Sequence, residues 1–155
     1  MEYKITTKSE EETIELAQNI ESEKFPNLII CLEGDLGSGK TVFAKGFASA
    51  LGIDEIITSP TFTLIKEYTN SEMPLYHMDF YRLDKSPEEI GLDEYYNKGG
   101  IVIIEWADVV RDHLPEERLD IRIVLLDEDT RIFVITPHGK KYIDLCEAVL
   151  WRPYL

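Results

Sequence analysis

Apolar and polar positions along this chain fall into blocks of different period. The opening "EYKIT" alternates like a short edge strand. In "SEEETIELAQNIESE" the residues Ile14, Leu16, Ala17 and Ile20 supply most of an apolar stripe at helical spacing, and Ser9 followed by Glu12 is a capping-box pattern. "NLIICLE" is a short continuous apolar run, as expected for a central strand buried on both faces. The helix "KTVFAKGFASAL" follows and stops at Gly52, a natural residue just past a helix end. Two segments rich in β-branched and aromatic residues, "TSPTFTLIKEY" and "PLYHMDFYRL", predict strands on either side of the turn "TNSEMP". "SPEEIGLDEYY" predicts one short helix capped by Ser86, with Pro87 at its first position. "IVIIEW" reads as a second buried strand after the turn "NKGG". "RLDIRIVLLDEDTRIFVITPHG" alternates around an acidic turn and predicts an antiparallel hairpin. From about Gly139 the tail "KKYIDLCEAVLWRPYL" fits a strand or a helix equally. With at least one strand–helix crossover joining hairpins, the fold expected is α/β: a mixed parallel and antiparallel sheet flanked by helices.

The length of 155 residues suits one domain spanning 1–155, and 44% hydrophobic residues provide a core. No apolar run approaches the roughly 20 residues of a membrane helix, and the polar "MEYKITTKSEEE" does not resemble a secretory signal. Cys31 and Cys146 stand far apart in apolar stretches, which favours free thiols in a reducing cytoplasm. Sixteen basic against thirty acidic residues leave a net charge of −14 with no basic run. Strong direct binding of nucleic acid is not expected from such a surface, because gripping a phosphate backbone takes clustered Lys and Arg.

The chemistry concentrates where the first buried strand meets the second helix. Gly34, Asp35, Leu36, Gly37, Ser38, Gly39, Lys40 and Thr41 match G-x-x-x-x-G-K-[ST] at every defined position. Glycines let successive backbone N–H groups turn into one concavity, toward which the following helix directs its positive dipole end. Lys40 would then reach the β- and γ-phosphates of a nucleoside triphosphate, and the Thr41 hydroxyl would be one ligand of an octahedral Mg2+. At average residue frequencies a chance match in a chain this long arises roughly once in two hundred. Here it also has the required strand before it and helix after it.

A metal needs a carboxylate as well. Glu105 ends the buried run "IVIIE", at the C-terminal edge where open α/β sheets bind ligands. Asp79 in "YHMDFYR" is a second candidate, which permits one acid to hold Mg2+ and the other to orient the attacking water. Thr61 in "SPTFT" can meet the γ-phosphate or belong to a fixed loop preceding a strand. Trp106 fits the core and the site equally. His77, His113 and His138 have no metal-ligand spacing and read as structural or surface groups.

Taken together, "GDLGSGKT", "TSPTFTL", "YHMDFYRL" and "IVIIEWAD", in this order and spacing, resemble the TsaE (YjeE) family over nearly the whole chain up to about Gly139. The resemblance implies a small P-loop NTPase with a mixed sheet, an ATPase needed to make N6-threonylcarbamoyladenosine in transfer RNAs that read codons beginning with A. It implies work on the TsaB–TsaD complex, which transfers the threonylcarbamoyl group and is reset by ATP hydrolysis. By similarity, Lys40 and Thr41 serve phosphate and Mg2+, Glu105 holds the metal, Asp79 supports hydrolysis and Trp106 is the characteristic tryptophan. Glu10 and Arg131 would flank the nucleotide. Val42 stands where the family commonly has a second hydroxyl residue, leaving only the backbone N–H for the α-phosphate. The acidic surface would leave transfer RNA to the partner while allowing docking on a basic region of it.

Three other readings share the P-loop. A small-molecule kinase usually carries a lid with several arginines, and no arginine cluster is visible. A GTPase would carry N-K-x-D after a strand. Here Asn97 and Lys98 precede their strand, and Gly100 occupies the Asp position. A binding module that senses nucleotide without hydrolysing it has no need of Glu105 and Asp79.

Overall fold

The computed structural model describes residues 1–35, 37–55, 57 and 64–150. In chain order the elements are β1 Tyr3–Thr7, α1 Glu10–Glu21, β2 Ile29–Glu33, α2 Lys40–Ala50, β3 Ile65–Tyr68, β4 Leu75–Asp79, α3 Pro87–Ile90, α4 Leu92–Tyr95, β5 Ile101–Glu105, a 3₁₀ segment Ala107–His113, β6 Arg118–Leu125, β7 Arg131–His138 and α5 Lys140–Val149. The strands form one seven-stranded sheet in the order β1-β7-β6-β2-β5-β4-β3. The four central strands β6, β2, β5 and β4 are mutually parallel, and β7, β1 and β3 add antiparallel edges. The mixed α/β sheet expected from the sequence is the one observed.

Alternation in the continuous apolar runs divides the core between two faces. Ile30 and Leu32 of β2 and Ile101 and Ile103 of β5 pack with Leu16, Phe43, Phe47 and Leu145 of α1, α2 and α5. Ile29, Cys31, Val102 and Ile104 point the other way, onto Leu92, Tyr96, Ala107 and Val110. Both cysteines are buried and free, as expected. Burial pushes the Cys146 thiol up to about 12 and shifts Cys31 in the same direction.

Helix α1 packs closely on α2. A Cβ added at Gly46 would lie 2.9 Å from the Ile14 Cα and 3.1 Å from its carbonyl oxygen. Alanine in a helix interior ordinarily gains about 1 kcal/mol over glycine, but an extra methyl group in a filled interface costs about 1–3 kcal/mol. Gly46→Ala is therefore expected to lower the melting temperature in differential scanning calorimetry. A rise would show that the two helices separate freely.

Several local expectations need correction. Ser9 accepts the Glu12 N–H at 3.1 Å, but the Glu12 carboxylate receives the Lys8 N–H, one residue earlier than a capping box requires. "SPEEIGLDEYY" forms two short helices. The full capping box of Ser86 and Glu89 starts α3, and Gly91, free to take φ +70°, ends it. The strand expected through "PLYHMDFYRL" stops at Asp79, whose carboxylate accepts the Tyr81 N–H at 3.0 Å and turns the chain away. The tail, open between strand and helix, forms α5. There Tyr142 accepts the buried N–H of Ile29, at the start of β2, at 2.9 Å.

Candidate functional site

The glycine-rich loop leaves β2 after Glu33 and enters α2 at Lys40. Gly34, Gly37 and Gly39 have φ of +153°, +77° and +113°. At Gly34 a Cβ would meet the Ser38 Oγ at 2.6 Å and the Ile123 carbonyl oxygen at 2.8 Å, so only glycine fits. The loop is a cradle of backbone closed by the first turn of a helix, the arrangement that holds phosphate.

Lys40 is buried beneath it. Its Nζ donates to the carbonyl oxygens of Gly34 at 2.5 Å and Asp35 at 2.9 Å, and lies 4.2 Å from the centre of the Trp106 ring. Burial lowers its pKa, and the nearby carboxylates of Glu105, Asp79, Asp35 and Asp108 oppose that fall.

The two acids predicted from the sequence stand side by side. Parallel pairing of β4 with β5 sets Asp79 opposite Glu105, each the last residue of its strand. Both are buried, on the sheet face that carries α2. The Thr41 hydroxyl, in the first turn of α2, lies 3.1 and 3.3 Å from the two carboxylate oxygens of Glu105. Thr41, Glu105 and Asp79 are hard oxygen donors at one locus, which suits Mg2+. Among the described residues no group of three or more His, Cys, Asp or Glu side chains can cage a metal alone.

A cleft of about 470 Å³ opens over these groups, lined by Gly37, Gly39, Lys40, Thr41, Val42, Asp79, Glu105, Trp106 and Arg131 among others. Trp106 serves both roles that the sequence left open: it packs on the second core and carries Lys40 on its ring. Its backbone takes a left-handed conformation, φ +60° and ψ +44°, uncommon for a bulky residue. Arg131 donates from Nε to the Ser38 carbonyl at 2.8 Å and so fastens β7 to the loop. Asp35 and Ser38 line a second cleft, which shares Trp106 with the first. Glu10, in the first turn of α1, is not among the described residues lining the first cleft. Leu36 and the stretch "SPTFT" with Thr61 lie outside the described residues.

Three residues of the site escaped the sequence reading. Tyr81 and Arg82 line the cleft from the turn after β4, and the Tyr81 ring sits 4.8 Å from that of Trp106. His77 is fully buried, with Nε2 at 2.6 Å from Glu105 Oε2. His113 and His138 pair instead with Glu88 and Asp120 at partly exposed positions. The available signal for His77 was parity: it lies two residues before Asp79 on one strand, and so on the same face.

Comparison with known proteins gives a consistent result. The family model described as "Threonylcarbamoyl adenosine biosynthesis protein TsaE" matches residues 7–133. The Bacillus subtilis (strain 168) protein named tRNA threonylcarbamoyladenosine biosynthesis protein TsaE is 46% identical over 148 residues, covering 96% of this chain and 94% of its own. A protein of the same name from Rickettsia bellii (strain RML369-C) is 41% identical over 132 residues, covering 83% and 90%. The crystal structure of YdiB from Bacillus subtilis superposes with a TM-score of 0.86 at 42% identity, covering 97% of this chain and 95% of that one.

Proposed function

The chain belongs to the TsaE family and to tRNA threonylcarbamoyladenosine biosynthesis, and from that premise we propose that it is a Mg2+-dependent ATPase acting on the TsaB–TsaD complex. The observation that carries the reading is the Thr41 hydroxyl bonded to the Glu105 carboxylate, beside a lysine held in a glycine-rich phosphate cradle. When bound with the triphosphate, Mg2+ would supply positive charge to offset that of the phosphates. Thr41 and Glu105 would hold it, with Asp79 adjacent to orient the attacking water and take up its proton. Lys40 would turn from the Gly34 and Asp35 carbonyls to the phosphates. Trp106, Val42 and Arg131 would wall the cleft. The two free, buried thiols support placement in a reducing cytoplasm, and no helix among the described residues is long and apolar enough to cross a membrane.

The isolated chain is expected to turn over slowly. Of the arginines at the cleft, Arg131 is tied to the Ser38 carbonyl and the Arg82 guanidinium lies over the Tyr81 ring at 5.9 Å, so neither is placed as an arginine finger. ATP hydrolysis measured with and without purified TsaB–TsaD should rise at least about tenfold with the complex, given that completing a site in trans is worth 10³–10⁵ in related systems. Full-speed, unstimulated hydrolysis by the chain alone would overturn the partner assignment.

A further inference from the structure

We propose that His77 is a positioning residue that orients the Glu105 carboxylate for the metal, an inference that rests on the Mg2+-dependent ATPase reading. Position 77 lies in the middle of a strand whose neighbours Leu75, Tyr76 and Met78 are all buried, and its register partner on β5 is Ile103. An aliphatic side chain would satisfy that environment. A histidine with no exposed surface costs free energy unless it is hydrogen-bonded, and the partner here is the site acid at 2.6 Å. An ionised carboxylate only accepts, so the hydrogen sits on Nε2, leaving Nδ1 enclosed with no partner among the described residues.

Glu105 is thereby held from two directions, by the His77 ring within the sheet and by the Thr41 hydroxyl at the start of α2. This is the carboxylate counterpart of the outer contacts that fix metal-ligating side chains in productive orientation, whose loss typically costs 10–100-fold in metal affinity. His77 is too deeply buried to reach a nucleotide in the cleft. Its effect should therefore be confined to the metal-dependent part of binding.

The test is the affinity for a non-hydrolysable ATP analogue, measured by isothermal titration calorimetry in EDTA and across a Mg2+ series. The proteins compared are wild type, His77→Leu, His77→Asn and His77→Gln, each checked for its melting transition. Glutamine can set an amide N–H near the place of Nε2, whereas asparagine falls short and leucine has no donor. In EDTA all four should agree within about threefold. Half-saturating Mg2+ should rise about tenfold or more for the leucine and asparagine variants and return toward wild type for glutamine. If the leucine variant does not fold, the asparagine–glutamine pair decides. Coincident Mg2+ curves, a parallel loss in EDTA, or equal loss with glutamine and asparagine would each overturn the proposal. A wild type indifferent to Mg2+ would bring down the ATPase reading itself, an outcome separate from the other three.

Discussion

Replacing Lys40 with alanine should weaken ATP binding by about 100-fold or more, measured by calorimetry or by displacement of a fluorescent nucleotide. Hydrogen bonds to charged groups contribute about 1.5–3 kcal/mol each, and each 1.4 kcal/mol is tenfold in affinity. Two such bonds to phosphate oxygens account for the size of the loss. The same ammonium holds the Gly34 and Asp35 carbonyls and lies against Trp106. The variant should therefore also melt somewhat earlier, because those carbonyls lose their donor. Lys40→Arg is not a rescue: a planar, forked guanidinium does not fit the place of a compact ammonium under a loop this close. Near-wild-type affinity in Lys40→Ala would remove the phosphate cradle as the site of binding.

The second large effect is expected at Glu105. Glu105→Gln should leave ATP binding in EDTA within about threefold of wild type while lowering the rate of Mg2+-dependent hydrolysis by about 100-fold or more. Charge stabilisation by a correctly held metal is worth several kcal/mol, and each 1.36 kcal/mol is tenfold in rate. Glutamine is preferable to alanine because its amide oxygen still accepts from His77, which alanine would leave buried and unpaired. The contrast between the two substitutions separates metal handling from structural loss. The alanine variant should lose both activity and melting temperature, the glutamine variant chiefly activity. Normal hydrolysis by Glu105→Gln would shift the metal assignment to Asp79.

Much of this site was legible because its parts are local or end a periodic run. The P-loop is a contiguous spacing, and Glu105 closes four aliphatic residues, so a buried parallel strand and its C-terminal edge could be inferred without knowing the neighbouring strand. Asp79 was placed on the correct strand, but its position opposite Glu105 depends on register between β4 and β5, which neither segment encodes alone. His77 was missed for a related reason. Nothing in "YHMDF" names a partner for the histidine; only the pairing of two strands brings it to the acid. Tyr81 and Arg82 were read as strand, but the Asp79 carboxylate captures the Tyr81 N–H and turns them into the cleft. At α1 the expected stripe was nearly right, yet Thr13 is buried and Ile14 only partly so, because the Thr13 hydroxyl bonds that of Thr7 at 2.9 Å and Gly46 admits Ile14 at the helix crossing. Two readings of the tail survived because its apolar positions suit either period, and the choice was made by docking Tyr142 against the start of β2.

That docking bears on where the polypeptide can be shortened. The match to the family model ends at residue 133, inside β7, and begins at residue 7, the last residue of β1. A fragment cut to those limits would lose most of one edge strand, more than half of the strand beside it and the whole of α5. It would strip the Ile29 amide of its acceptor at the base of the strand from which the phosphate loop springs. The stretch matched by the family model is thus narrower than the unit able to keep its shape, and fragments are better bounded by the sheet.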